Sequence, residues 1–170
     1  DFMDFKAVNM EIKALPKEDL NKFWKIQNEY LDKWDFDYLK KQYSKYPNLY
    51  IGCYKDRKLI GIAYGFIKGK IVVLQGIAVE YKVWRRGIGS SILDFFEKQA
   101  KQIGKRTIGV GSAEGFVENF YPNNGYKPVE IQAKREDHYI FAKESVRGYK
   151  NGLEKRKKLK KKFNPKEVIF

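Results

Sequence analysis

The sequence contains one cysteine and one histidine among its 170 residues. A single cysteine, Cys53, cannot form a disulfide within the chain, and its position in an apolar run predicts a buried thiol. Together with the one histidine, His138, it provides neither a zinc-binding cluster nor a nucleophile paired with histidine. We therefore expect a protein without a metal site.

Long apolar segments are also missing. No stretch approaches the roughly 20 consecutive apolar residues that span a bilayer, and the opening DFMDFKAVNM does not have the basic-then-apolar pattern of a secretion signal. We therefore expect a cytoplasmic protein without a membrane partner. Apolar residues make up 43% and aromatic residues 16% of the chain, which is enough for a single-domain core and excludes a disordered chain.

Positive charge is abundant and unevenly distributed. The formal net charge is +14, and residues 143–170 contribute 11 Lys and Arg against three Glu. We expect a folded domain over residues 1–143 followed by a basic extension over 144–170, with a helix at about 151–163 and a terminal strand at 167–170.

Two interpretations of this basic extension remain open. A lysine-rich helix is typical either of a solvated surface or of a segment that binds a polyanion such as RNA. The chain ends in an apolar run, Glu167 to Phe170, and such a strand pairs with a sheet edge of its own chain or of a partner in a homodimer.

Apolar periodicity predicts an α+β chain (α/β mixed) with the element order β-α-α-β-β-β-α-β-α-β-β. One amphipathic helix is predicted from Lys17 to about Trp34, and a second is predicted between an N-cap at Asp35 and Pro47. The runs LYIGCY, KLIGIAYGFI and KIVVLQGIAV are joined by short charged links, which is typical of an antiparallel meander.

The second half of the chain alternates between helices and strands. It contains a helix closed by Gly104, the short strand RTIGVG, and a short helix from Glu114 to Phe120 that Pro122 is expected to break. The runs YKPVEIQAK and HYIFAK then predict a hairpin.

Between the third run and the next helix lies a segment suited to phosphate binding. Gly87 and Gly89 allow a ligand to approach the backbone, and Arg85 and Arg86 add positive charge. A helix N-terminus offers unpaired N–H groups and a partial positive charge, both of which favour an anion. Glycines at a turn alone are weak evidence, but their order here, after a strand and before a helix, favours a phosphate loop.

Two motifs resemble the GCN5-related N-acetyltransferase (GNAT) family. The segment LQGIAVEYKVWRRGIGSSILDFFEKQAKQIG is similar to the family's acetyl-CoA motif, and FYPNNGY from Phe120 is similar to a second family segment. The resemblance covers about Val8 to Lys143. It implies a GNAT fold with a central, mostly antiparallel sheet of six to seven strands and helices on both faces.

The resemblance also implies the site residues. The backbone of Ile77, Ala78 and Val79 would pair with the pantetheine arm of acetyl-CoA. The pyrophosphate would be held by the following residues: Arg85, Arg86, Gly87, Ile88, Gly89 and Ser90. Tyr121 would lie near the coenzyme sulfur and donate a proton to the leaving thiolate, although a tyrosine there is alternatively a packed core aromatic.

The function implied is an N-acetyltransferase that transfers the acetyl group of acetyl-CoA to a primary amine by direct attack in a ternary complex. The acceptor is a small molecule or a peptide N-terminus, and a backbone N–H near Val79 would polarise the carbonyl. Glu29, Asp32 and Glu80 are candidates for the general base, each equally explained as a surface carboxylate. The alternative is a catalytically silent acyl-CoA-binding module that associates with RNA or the ribosome through its basic extension.

Overall fold

The computed structural model describes residues 10–69, 71–83, 87–105, 107–111, 120–131 and 139–143. The seven strands are β1 Met10–Ala14, β2 Tyr50–Lys55, β3 Lys58–Lys68, β4 Ile71–Val79, β5 Thr107–Gly111, β6 Lys127–Ile131 and β7 Tyr139–Lys143. The four helices are α1 Leu20–Tyr30, α2 Phe36–Lys45, α3 Ile88–Gln102 and α4 Phe120–Asn123. The predicted element order is confirmed. The basic extension lies outside the described residues.

The strands are hydrogen-bonded neighbours in the order β1-β2-β3-β4-β5-β7-β6. Strands β1, β2 and β3 pair antiparallel, as the meander predicts, and β6 and β7 form the predicted antiparallel hairpin. Strand β4 pairs parallel with β5, and β5 pairs antiparallel with β7. The sheet is therefore mostly antiparallel with one parallel pair, as the resemblance implied.

The chain divides into two compact units, and β4 contributes to both. The first unit comprises Asp1–Phe66 and Gln75–Ile103, and the second comprises Ile67–Leu74 and Gly104–Phe170. In the second unit, the first four residues of β4 pair with β5 in the register Ile71↔Thr107 to Leu74↔Val110.

In the first unit, one side of the strands is covered by α1 and α2. We call this side the α1/α2 face. Its buried core consists of Leu15, Leu20, Phe23, Ile26, Leu39, Tyr50, Tyr54, Leu59, Ile62 and Tyr64. The rings of Phe23, Tyr50 and Tyr64 contact one another with centroid distances of 5.4 to 5.8 Å.

The opposite side of the same strands packs against α3, and we call it the α3 face. Side chains alternate between the two sides of a strand, and a Cβ added at Gly61 would meet Ile92 of α3 and Cys53 of β2. The buried residues of this face are Ile51, Cys53, Ala63, Ile88, Ile92, Leu93, Phe96 and Ala100. Burial raises the pKa of the Cys53 thiol to about 11, and the predicted buried, unpaired cysteine is confirmed.

Helix α1 differs from its predicted extent. The expected helix from Lys17 to Trp34 begins with a 3-10 turn and continues as α1, which ends at Tyr30. The indole N–H of Trp24 donates to the Trp34 carbonyl at 2.7 Å, and the Trp34 N–H donates to the Asn28 side chain at 3.0 Å. These tertiary hydrogen bonds hold Trp34 against α1. The apolar spacing of the sequence therefore continues after the helix has ended.

Local signals at other helix ends are confirmed. The Asp35 carboxylate accepts a hydrogen bond from the Tyr38 N–H at 2.8 Å, as an N-cap does. Gly104, just past α3, has φ +80°, a left-handed conformation that glycine adopts without strain.

In the second unit, the predicted break of the helix lies one residue after Pro122. Helix α4 continues through Pro122 to Asn123, and the Asn124 N–H still reaches the Phe120 carbonyl at 3.2 Å. A proline lacks its own N–H but leaves that bond intact. The predicted helical residues before Phe120 lie outside the described part, and the described helices include none long and apolar enough to cross a membrane.

Candidate active site

The N-terminus of α3 lies where the sequence predicts a phosphate loop. Gly87 precedes the helix with φ +76°, and a Cβ added to it would meet nothing within 4 Å. The helical hydrogen bonds begin where the Ser91 N–H donates to the Gly87 carbonyl at 3.1 Å. The N–H groups of Ile88, Gly89 and Ser90 precede that bond, so they have no acceptor within the helix.

This helix start fits a pyrophosphate group. No side chain caps it, because its N-cap residue is glycine, and Gly87 is exposed. The unpaired N–H groups and the positive end of the helix dipole both favour an anion there. Arg85 and Arg86, which were predicted to add charge, lie outside the described residues.

The last residues of β4 provide the second predicted element. Among the described residues, the pairing of β4 with β5 stops at Leu74 and Val110, and β4 continues to Val79. The stretch Ile77–Val79 is half-buried and belongs to the first unit, as does the start of α3. A strand that extends beyond its neighbour can hydrogen-bond an extended ligand.

Tyr121 belongs to the second unit. Its side chain is 4% exposed, and its ring contacts Phe120 and Tyr126 with centroid distances of 5.1 and 5.7 Å. Its carbonyl accepts the N–H groups of Asn124 and Tyr126, both at 3.0 Å. Packing therefore fixes the position of the Tyr121 ring. A fixed ring is compatible both with a proton donor and with a packed core aromatic.

The three candidate bases have different surroundings, all within the first unit. Glu29 is exposed on α1. Glu80 pairs with the Lys58 ammonium at 3.8 Å, just after β4. Asp32, between α1 and α2, accepts a hydrogen bond from the Tyr64 hydroxyl at 3.4 Å. Asp32 is thus connected to a side chain of the buried core.

Tyr64 and Gln27 were not predicted as site residues. Tyr64 is fully buried, and burial together with the charge of Asp32 raises the pKa of its hydroxyl. Gln27 is fully buried in α1, close enough to Tyr64 to oppose that increase in pKa. Neither amide atom of Gln27 has a hydrogen-bond partner in the described part of the chain. The sequence signal that could have identified Gln27 is its position on the apolar side of the predicted helix.

No cluster of metal-ligating side chains occurs in the parts of the chain that the structure describes. The described chemistry therefore consists of an anion-binding helix start, an extended strand, a packed tyrosine and a carboxylate connected to the core.

Comparisons with known proteins identify the family of this chain. A family model described as "Acetyltransferase (GNAT) family" matches residues 11–126. A search of curated protein sequences found no match.

Among solved structures, the PaiA N-acetyltransferase of Thermoplasma acidophilum in complex with coenzyme A is 19% identical, with a TM-score of 0.68 over 81% of this chain and 99% of its own. The ribosomal-protein-S18-alanine N-acetyltransferase of Escherichia coli is 18% identical, with a TM-score of 0.65 over 79% and 92%. Naa50 of Arabidopsis thaliana, bound to the bisubstrate analogue CoA-Ac-MVNAL, is 14% identical, with a TM-score of 0.66 over 80% and 99%. These likenesses show the fold.

Proposed function

Since the chain belongs to the GNAT family of acetyltransferases, we propose that it transfers the acetyl group of acetyl-CoA to a primary amine by direct attack in a ternary complex. The observation that carries this proposal is the start of α3. Three N–H groups that have no acceptor within the helix follow a glycine whose Cβ position is empty among the described residues. Coenzyme A presents a pyrophosphate, which is the group that such a helix start favours.

Each group of residues has one task in this proposal. The N–H groups of Ile88, Gly89 and Ser90 bind the pyrophosphate, with Arg85 and Arg86 adding charge. The backbone of Ile77–Val79 orients the pantetheine arm, because an extended arm can pair with an extended strand. Acetyl-CoA, when bound, supplies an activated acetyl thioester.

Tyr121 is the proposed proton donor to the leaving sulfur. A thiol with a pKa of about 8.5 leaves as a thiolate unless a donor is at hand, and a tyrosine hydroxyl with a pKa of about 10 can donate. The FYPNNGY motif and the packed position of the Tyr121 ring support this role.

The acceptor is an amine, and peptide N-termini are the first class to test. The Escherichia coli relative is named for acting on an alanine of a ribosomal protein, and the Arabidopsis thaliana relative binds an analogue that contains a peptide. Deprotonating an α-amine with a pKa of about 8 at pH 7 costs about 1.4 kcal/mol, against about 4.6 kcal/mol for a lysine side chain.

Gly89→Glu tests the cofactor site, because it places a carboxylate in the first turn of α3. We expect saturating acetyl-CoA to raise the Tm of the unaltered chain by about 5–10 °C and to leave the Tm of Gly89→Glu unchanged. The matched control is Gln102→Glu, which adds the same charge at the exposed last residue of the same helix.

The two variants separate binding from folding. Glutamate is a better helix former than glycine, so the Gly89→Glu protein is expected to fold without the ligand. The control should keep the full increase in Tm. An undiminished increase in Gly89→Glu would contradict the phosphate-binding role of this loop.

The silent RNA-associated module depends on residues 144–170, and nothing in the described residues favours it. We retain residues 1–143 as the proposed catalytic domain, because the family match ends at 126 and β7 ends at Lys143.

A further inference from the structure

The proposed function leaves the group that receives the proton of the amine unassigned. Attack requires a neutral nitrogen, so an ammonium acceptor must first lose a proton. Glu29, Asp32 and Glu80 were candidates on sequence grounds. Their surroundings within the first unit distinguish them.

Tyr64 connects Asp32 to strand β4. A Cβ added to Gly76 would lie 2.5 to 2.7 Å from the end of the Tyr64 ring and its hydroxyl oxygen. The hydroxyl therefore lies directly against the strand, one residue before Ile77. The same hydroxyl donates to Asp32. Glu29 and Asp32 are both exposed, but of these two only Asp32 has a hydrogen bond to a core side chain among the described residues, and Glu80 is already paired with Lys58.

The direction in which the pantetheine arm lies along β4 determines which end of β4 is nearer to the thioester. The proposed phosphate contacts lie at Gly87–Ser90, after β4 in the chain. An arm that runs back along Ile77–Val79 therefore has its thioester towards Ile77, the end that adjoins Gly76. An arm bound in this direction would have its thioester end towards Gly76, which Tyr64 contacts.

Gln27 supplies an independent observation at the same place. Burying an amide without hydrogen bonds is unfavourable, so native proteins rarely leave one unsatisfied. Both amide atoms of Gln27 have no partner within the described chain, and the side chain is close to the Tyr64 hydroxyl. The Gln27 amide therefore places a second polar group beside the Tyr64 hydroxyl.

We propose that Asp32 is the general base that binds and deprotonates the acceptor ammonium, and that Tyr64 and Gln27 are the positioning residues that hold the carboxylate and amine beside β4. The inference rests on the proposed acetyl transfer. Among the described residues Asp32 forms no ion pair, and its carboxylate accepts a hydrogen bond from the Tyr64 hydroxyl. An arriving ammonium can therefore pair with its carboxylate.

The proton balance closes with the groups already named. Asp32 takes one proton from the ammonium, and the nitrogen lone pair forms the C–N bond to the acetyl carbon. The C–S bond breaks with its electron pair on sulfur, which Tyr121 protonates in the proposed function. The nitrogen's second proton and the proton on Asp32 pass to solvent, from which Tyr121 regains its own.

Asp32→Asn tests this assignment with a readout that a structural role would not change. With the acceptor of highest turnover, chosen from N-terminal peptides, amino acids, spermidine and a lysine peptide, we expect kcat/KM at pH 7 to fall about 10²–10⁴-fold. The remaining activity should increase about tenfold per pH unit up to the pKa of that amine, since only neutral amine then reacts. The unaltered chain should have a much flatter profile.

The controls separate charge, folding and positioning. Asp37→Asn removes an exposed carboxylate five residues away, which pairs with Lys40, and should leave both rate and profile unchanged. Tyr64→Phe keeps the ring and removes the hydroxyl, so kcat/KM should fall about tenfold while the increase in Tm with acetyl-CoA remains.

The outcomes distinguish this inference from the proposed function. An Asp32→Asn protein with normal kcat/KM and an unchanged pH profile would overturn the assignment of Asp32 alone. If the unaltered chain acetylates none of the panel amines, the acetyl-transfer proposal fails and the inference fails with it.

Discussion

The two faces of the sheet in the first unit differ in chemistry although the same strands form both. The α1/α2 face contains packed rings and tyrosine hydroxyls that make directed hydrogen bonds: Tyr43 of α2 donates to the Leu15 carbonyl at 2.7 Å, and Tyr54 of β2 donates to the Asp19 carboxylate at 2.5 Å. The α3 face is aliphatic apart from Phe96 and Cys53. One face thus combines burial with directed hydrogen bonds, and the other depends on burial alone.

This difference indicates where polar chemistry can occur. Helix α3 offers its backbone at one end, while its buried side chains only fill space. On the α1/α2 face, buried hydroxyls hold polar groups in fixed positions, because a buried donor must find an acceptor. Asp32, Tyr64 and Gln27 belong to this second kind of surface.

The largest expected effect comes from removing one ring from each face. Phe23→Ala and Phe96→Ala each empty a fully buried position and should lower the free energy of unfolding by about 3–5 kcal/mol. The leucine variants sharpen the comparison. Phe23→Leu should cost about 1 kcal/mol more than Phe96→Leu, because Phe23 also loses ring contacts with Tyr50 and Tyr64. Urea unfolding measures the free energy of unfolding of both leucine variants. Equal losses would contradict a distinct contribution of ring contacts to the stability of the α1/α2 face.

Two glycines provide a matched pair of smaller perturbations. Gly76→Ala should cost about 1–3 kcal/mol, because its Cβ would meet the rigid Tyr64 ring at 2.5 Å. Gly61→Ala meets the flexible end of Ile92 at 2.7 Å and should cost less than about 1 kcal/mol. Chemical denaturation of both variants tests this order. The reverse order would show that the aromatic rings of the α1/α2 face adjust to an added methyl group more easily than the side chains of the α3 face.

The smallest effect concerns pH. The pKa of Cys53 is raised from 9.0 to about 11 in the folded chain, so the folded state holds the thiol proton more tightly. The stabilisation is complete below pH 9 and is lost as the pH rises from 9 to 11, by about 1 kcal/mol at pH 10. Cys53→Ala should remove this part of the alkaline decline. A variant with the same decline between pH 7 and 10 would assign it to the tyrosines of the α1/α2 face.

Much of the fold could be predicted from the sequence because its signals are local. Asp35 caps α2 and Gly104 follows α3 where their residue types predicted. The end of α1 could not be predicted, because apolar spacing reports which side faces the core rather than whether the backbone is helical. The bonds that Trp34 makes to α1 join residues whose proximity depends on the folded chain.

The residues of the candidate site also divide into those that a local motif predicts and those that only the folded chain brings together. Gly87 and Gly89 are two residues apart in the sequence, so the start of α3 was predictable from this local motif. Asp32 and Tyr64 are 32 residues apart, and no local pattern connects them. The contact of Tyr64 with Gly76 depends on strand pairing, so the sequence could name Asp32 as one of three candidates but could not choose among them.

The most direct test of the central claim is the release of coenzyme A thiol from acetyl-CoA by the full chain in the presence of the amine panel. We expect amine-dependent turnover by the unaltered protein and a kcat about 10²–10⁴-fold lower for Tyr121→Phe, with little change in the KM for acetyl-CoA. Binding of acetyl-CoA without thiol release above the uncatalysed rate, for every amine tested, would contradict acetyl transfer by this protein.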